Sequence, residues 1–170
     1  MTMIRRAEPA DAEALALVGR ATFLESYAGE LPVADILAHC EHQHDPAVYA
    51  GWLADAAWRL WIVTAATGAP LGYAVLGPPD LPVDTQNADV EIRRIYLLHP
   101  HQRQGLGAAL LRAAAEDARD AGYARALLGV FGRNQGAIAF YRRQGFVQVG
   151  VRKFQVGQGV YDDLVLARDL

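Results

Sequence analysis

The chain is poor in the residues that mark several protein classes. It has one cysteine, Cys40, in 170 residues. A single thiol excludes an internal disulfide framework and points to a reducing compartment. It has one lysine, Lys153, against fifteen arginines and thirty-one alanines. That skew fits a compositional bias and carries no functional conclusion. Positive charge is not in excess, because the formal net charge is −3. No global basic field is therefore present to recruit nucleic acid or an anionic membrane. Long apolar runs are also missing. The most apolar stretch, Leu60 to Leu76, is cut by Thr64, Thr67, Gly68, Pro70 and Gly72. It cannot make a span of about 20 residues. The Met1–Arg6 opening is followed by polar, helix-like sequence rather than the apolar core of a signal peptide. The expected setting is the cytoplasm, with neither nucleic acid nor membrane as partner.

What is present suits one globular domain over residues 1–170. Hydrophobic residues make up 52% and charged residues 21% of the chain, enough to fill a core of this length. There is no repeat, linker or low-complexity tract.

The pattern predicts a short strand at Met3–Arg6. A helix then opens at Glu8-Pro9-Ala10-Asp11 and carries Leu15, Val18, Thr22 and Phe23 on one stripe. Pro32 opens a second helix with Val33, Ile36, Leu37 and Cys40 as its apolar face. Asp45-Pro46 reads as N-cap and first position of a third. Strands are expected at Trp58–Thr64 and Leu71–Leu76, turned by Thr67-Gly68, and at Asp89–Leu98. A long helix from Gly105 to Ala121, a strand at Ala124–Phe131 and a helix from Asn134 to Gly145 follow. Two strands, Val147–Phe154 and Tyr161–Ala167, finish the chain around a glycine-rich turn. This order implies an α/β fold. Its mixed sheet would carry helices on both faces and run parallel around the two crossover helices.

The most informative stretch runs from Glu91 through His99-Pro100-His101-Gln102-Arg103-Gln104 to Gly105-Leu106-Gly107. A strand ends, a polar loop with two close glycines follows, and a long helix begins. Free loop amides and a helix N-terminus together make an anion site, and glycine lets a phosphate approach the backbone. Arg103 adds a guanidinium suited to phosphate. Two competing motifs fail. The dinucleotide fingerprint needs a third glycine where Ala108-Ala109-Leu110 stands, and the Gly-Lys-Ser/Thr of a nucleotide-triphosphate loop is absent.

Gln102-Arg103-Gln104-Gly105-Leu106-Gly107 resembles the Gln/Arg-x-x-Gly-x-Gly/Ala signature of the GCN5-related N-acetyltransferases, the GNAT family. Asn134 through Ala137, Phe140-Tyr141 and Gly145-Phe146 resemble that family's second element. The likeness covers residues 58–168. Arg94-Ile95-Tyr96-Leu97-Leu98 and the tail look most like its bacterial spermidine/spermine-type branch. The resemblance implies a single-domain GNAT-like fold: a mostly antiparallel sheet of six to seven strands with a central, splayed parallel pair. It implies acetyl-CoA as co-substrate and no metal. Ile95, Tyr96 and Leu97 would offer backbone groups to the pantetheine arm. Arg103, Gln104, Gly105, Leu106, Gly107 and Ala108 would cradle the pyrophosphate. Asn134 would hydrogen-bond the pantetheine, or serve as a plain N-cap, or both. Tyr141 would protonate the departing thiolate, unless it is a core aromatic. Glu91 is the candidate base, acting through water; its bland alternative is an ion pair with Arg93 or Arg94. Residues 91, 93, 95 and 97 are expected on one strand face. Tyr27 is a candidate wall of the acceptor pocket. A homodimer is left open.

His39, Cys40, His42 and His44 match no standard zinc spacing and read as a solvated helix end. Charge is segregated: residues 7–55 hold nine acids and one base, residues 90–153 eleven bases and four acids. The acidic part is expected to face the acceptor. The function implied is transfer of acetyl from acetyl-CoA to a primary amine, with a small polyamine-like cation as acceptor. Acetylation of a protein N-terminus or lysine, and non-catalytic acyl-CoA binding, are the alternatives.

Overall fold

The computed structural model describes residues 1–170. Strand β1 is Met3–Arg6, and a short turn of helix at Pro9–Asp11 leads into α1, Ala12–Tyr27. Helices α2, Val33–Gln43, and α3, Pro46–Ala54, follow. Strands β2, Arg59–Thr64, β3, Pro70–Gly77, and β4, Asp89–Leu97, come next, then α4, Leu106–Asp120. Strand β5 is Arg125–Phe131 and α5 is Gln135–Arg143. Strands β6, Val147–Val156, and β7, Gly159–Asp169, close the chain.

The local signals act as expected at the helix starts. Asp45 accepts from Ala47 N at 2.7 Å and Pro46 takes the first helical position. Asn134 caps α5 by accepting from Ala137 N at 3.0 Å. The predicted stripe of α1 is buried at Leu15, Val18, Thr22 and Phe23. The predicted stripe of α2 is only half right. Ile36 is buried, but Val33 and Leu37 point to solvent and Asp35 turns inward. There Asp35 Oδ1 accepts from Gln158 N at 3.2 Å, so a polar contact to the last hairpin sets the helix's rotation.

The seven strands make one sheet in the order β1-β2-β3-β4-β5-β7-β6. Every neighbouring pair is antiparallel except β4–β5. The expectation of parallel pairing around both crossover helices is therefore corrected. Helix α5 does return the chain in the right direction, but the β6–β7 hairpin places β7 between β5 and β6. Gly157 turns that hairpin at φ +58°.

Helices cover both faces. Leu110, Leu111 and Ala114 of α4 and Ile138 and Tyr141 of α5 pack on Ala74, Leu76, Ile92 and Leu97. On the other face, Leu15 and Val18 of α1 and Tyr49 of α3 pack on Leu60, Ile62, Tyr73 and Val75. Each fully buried aliphatic side chain contributes about 1.5–3 kcal/mol. The helical layers thus pin the central strands from both sides.

The parallel pair is short. It comprises Asp89↔Arg125, Val90↔Ala126 and Glu91↔Leu127. Beyond Glu91, β4 stays with β3 while β5 stays with β7, and the sheet opens between them.

Candidate active site

That opening is the throat of a cavity of about 1140 Å³. It passes from the α4–α5 face to the α1–α3 face. Gly105, Gly107, Ala108 and Asn134 line one end, and Tyr27, Glu91, Arg94 and Asp163 the other.

At the first end, the amides of Arg103, Gln104, Gly105, Leu106, Gly107 and Ala108 have no hydrogen-bond partner within the protein. Arg103 at φ +60° and Gly105 at φ +80° adopt left-handed backbone, which turns successive amides outward. Gly105 is the N-cap of α4 and provides no side-chain cap, so the first helical N–H groups stay available. The loop is braced from behind. Gln102 Nε2 donates to Leu97 O at 3.0 Å, Gln104 Nε2 to Pro100 O at 3.0 Å, and His99 N to Glu25 Oε2 at 2.9 Å. Of the six expected cradle residues, the side chains of Gln104 and Leu106 lie away from the cavity. Leu106 packs on the core instead.

In the throat, Leu98 N donates to Leu71 O of β3 at 2.9 Å. Strand alternation then turns the N–H groups of Ile95 and Leu97 toward the opening and that of Tyr96 toward β3. Of the three residues expected to offer backbone groups, the strand thus turns Ile95 and Leu97 to the gap and Tyr96 away from it. The Tyr96 ring stacks on Tyr73 on the α1–α3 face.

Tyr141 sits in the last turn of α5 with 8% of its surface exposed. Its ring packs against Phe140 and Phe146, and the residue lines the cavity. The ring is thus a core aromatic, as one expected reading had it, and the residue also borders the cavity, which leaves the acid role open to it. Burial, then the Tyr96 phenol, pushes its pKa well above the ordinary value, so it stays protonated at neutral pH. Tyr27 also lines the cavity, packed edge-on against Phe131.

Glu91 is 2% exposed. Its Oε2 accepts from Asp80 N at 2.7 Å and lies 3.2 Å from Arg93 Nε. The ion-pair alternative thus holds for Arg93 and not for Arg94. Burial raises the Glu91 pKa against the opposing pull of Asp80 N, Arg93 and Arg152. Its expected face needs correcting. Leu76 pairs with Ile92 and Val75 with Arg94, so Arg93 is an extra residue on β4. This bulge flips the alternation. Glu91 shares a face with Arg94 and Tyr96, not with Ile95 and Leu97. The effect is to aim the carboxylate at the α1–α3 end of the cavity.

Sequence reasoning missed two groups at that end. Asp163 of β7 is 3% exposed and accepts from Arg152 Nη2 of β6 at 2.8 Å. Burial raises its pKa, and Arg152 opposes the shift. The two residues flank the final glycine turn at paired positions, a register signal that a hairpin reading could have used. The second group centres on His44. The expected solvated helix end is corrected here: His44 is 2% exposed and His39 stacks on Phe23 at 4.0 Å. His44 Nδ1 lies 2.8 Å from Tyr49 Oη, which accepts from Arg94 Nη1 at 2.8 Å. Burial, then Arg94, lowers the His44 pKa to about 2, and the same causes lower His39 to about 4. Both imidazoles are neutral at pH 7. No three His, Cys, Asp or Glu side chains converge as a metal site.

Residues 22–146 match the acetyltransferase (GNAT) family. The chain belongs to that family. Uncharacterized N-acetyltransferases of Mycobacterium bovis and Mycobacterium tuberculosis are 33% identical to this acetyltransferase over 161 residues. That alignment covers 94% of this chain and 98% of theirs. Among solved structures, the PaiA N-acetyltransferase of Thermoplasma acidophilum in complex with coenzyme A superposes with a TM-score of 0.81. It is 18% identical and covers 100% of this chain and 99% of its own. The ribosomal-protein-S18-alanine N-acetyltransferase of Escherichia coli gives 0.69 at 22% identity, over 99% and 94%. At these identities the structural likeness speaks for the fold. No helix of this acetyltransferase is long and apolar enough to cross a membrane.

Proposed function

We propose that this N-acetyltransferase transfers acetyl from acetyl-CoA to a small primary amine by direct attack within a ternary complex. The observation that carries the reading is the cavity through the splayed sheet, with six unpartnered amides at one end and a protonated tyrosine at its throat. The arrangement fits acetyl-CoA. When bound, acetyl-CoA supplies the activated acetyl thioester. The amides of Arg103 to Ala108 hold the pyrophosphate. Asn134 offers the pantetheine its free amide nitrogen, its oxygen being committed to Ala137 N. The N–H groups of Ile95 and Leu97 pair with the arm and polarise the acetyl carbonyl. Glu91 takes a proton from the incoming ammonium through water, since alkyl amines are mostly protonated at neutral pH. Tyr141 donates its phenolic proton to the leaving sulfur.

The polyamine-like form of the acceptor, and the spermidine/spermine-type branch, draw less support from the charges. Of the nine acids in residues 7–55, Glu25 and Glu30 line the cavity. Glu25 is spent on His99 N, and Glu30 lies 3.7 Å from Arg133. Arg93, Arg94 and Arg152 line the acceptor end. A monoamine is favoured over a polycation. A cytoplasmic setting belongs to the same proposal. So does a homodimer, for which edge strand β6 offers exposed Val147, Val149 and Val151. Thioester consumption with a panel of amines tests the activity: turnover with a small primary amine is expected. Acetyl-CoA binding without turnover on any amine would leave a binding module, and turnover on peptides alone a protein acetyltransferase.

A further inference from the structure

Arg94 is the guanidinium of the acceptor end that lacks an anion. Arg93 faces Glu91 at 3.2 Å and Arg152 is paired with Asp163 at 2.8 Å. Arg94 has no carboxylate within ion-pair distance. Its protein partners are Tyr49 Oη at 2.8 Å and, at 3.4 Å, His44 Nδ1 and Gln43 Oε1. All are neutral. The guanidinium lies over the rings of Trp52 and Tyr49, at 4.9 and 5.4 Å from their centres. This stacking stabilises the charge and fixes its plane.

The support behind it is rigid. Tyr49 and His44 are both buried, at 0% and 2% exposure. Gly19 of α1 is what admits them, because a Cβ there would collide with the His44 ring and the Tyr49 hydroxyl. Arg20 Nε donates to His44 O at 3.0 Å and holds that backbone. A neutral His44 accepts from Tyr49, which leaves the Tyr49 oxygen free to accept from Arg94. The network thus orients one edge of the guanidinium and leaves the rest of its donors to the cavity.

The missing anion is not the pyrophosphate. Arg94 pairs with Val75 on the α1–α3 face, whereas the free-amide loop adjoins the α4–α5 face. It is one residue, about 3.3 Å along the strand, from Ile95, whose N–H faces the throat. An oriented guanidinium fork matches a carboxylate. Resting on the acetyltransferase reading above, the geometry points to an amino acid as the acceptor: Arg94 binds its carboxylate while its amine meets the thioester at the throat.

The test compares kcat/KM for free amino acids with their carboxamides and with the corresponding decarboxylated amines. In the parent, the best acceptors carry a carboxylate and exceed their carboxamides at least tenfold. In Arg94→Gln that ratio falls to within threefold of one, and Arg94→Lys keeps part of it. Each ratio is taken on one protein preparation, so loss of folded fraction cancels. Carboxamides or simple amines matching the acids in the parent, or a preference that survives Arg94→Gln, would overturn the inference and leave the acetyltransferase reading intact. No turnover with any amine by folded, acetyl-CoA-binding protein would remove both.

Discussion

The two ends of the cavity are built from different materials. At the α4–α5 end the recognising groups are backbone: six successive amides presented by a left-handed loop and a helix start. At the α1–α3 end they are side chains drawn from four elements, Tyr27, Glu91, Arg94, Arg152 and Asp163, with Tyr49 of a fifth buried behind Arg94. A backbone site tolerates change in most side chains, so it suits a ligand part that never varies. A site of interlocked side chains can be redrawn residue by residue, so it suits the part that does. The contrast predicts that damage at one end leaves binding at the other largely untouched, while damage at the throat spares both and stops the chemistry.

The largest effect is therefore expected between the ends. Tyr141→Phe keeps the ring that packs on Phe140 and Phe146 and removes the proton. Turnover should fall roughly 10²–10⁴-fold, the scale of a general acid. Acetyl-CoA affinity by calorimetry should stay within about twofold of the parent's, because the lost hydroxyl leaves no protein partner unpaired. Parent-like turnover would assign thiolate protonation to another group.

Next come two glycine substitutions that separate the ends. Gly105→Val puts a β-branched residue at φ +80°, a conformation costing about 1–2 kcal/mol for an ordinary L-residue. The loop can relax only by turning amides away. Acetyl-CoA affinity should weaken on the order of tenfold to a hundredfold, the worth of a single charge-assisted hydrogen bond at about 1.5–3 kcal/mol. Gly19→Ala instead drives a methyl group into His44 and Tyr49. Overpacking of this kind costs about 1–3 kcal/mol. The melting temperature should drop by several degrees, and KM should rise for the amine but not for acetyl-CoA. If Gly19→Ala raised both KM values alike, the two ends would be coupled and the contrast would fail.

The same contrast explains what the sequence disclosed. The amide loop is contiguous from Gln102 to Ala108, so glycine spacing and the strand-to-helix change were enough to find it. The helix caps at Asp45 and Asn134 are local in the same sense. The splayed pair follows from β4 and β5 taking different partners beyond Glu91, and only the family resemblance anticipated it. The acceptor end joins residues far apart in the chain, such as Arg94 with His44 and Tyr49. Nothing in the spacing of His39, His42 and His44 announces that His44 is buried beneath α1. The bulge at Arg93 was equally hidden, because one extra residue in a strand leaves no mark in a period-two pattern yet moves Glu91 to the other face. Val33 and Leu37 were misplaced for a related reason: hydropathy set the predicted stripe, and the contact of Asp35 with Gln158 overrode it.

The smallest effect concerns stability, and it has the opposite sign to the catalytic one. Glu91 has a raised pKa in the folded protein, caused first by burial. The folded state therefore holds its proton more tightly than the unfolded chain does. Stability from this group is greatest below the unfolded pKa and declines as pH rises through the folded value. Glu91→Gln keeps an acceptor for Asp80 N and removes the buried charge. It should melt at or above the parent temperature at neutral pH, with the gap closing in acid as the parent carboxyl becomes neutral too. Its kcat/KM should fall most between the Glu91 pKa and the pKa of the amine. Below that window the parent has lost its base, and above it the amine arrives already neutral. A Glu91→Gln variant that melts below the parent at neutral pH, with the deficit closing in acid, would mean that Arg93 and Asp80 N, rather than burial, dominate this carboxylate. A pH–rate profile overlaying the parent's would make Glu91 only the ion-pair partner of Arg93, and move the base elsewhere on the α1–α3 side.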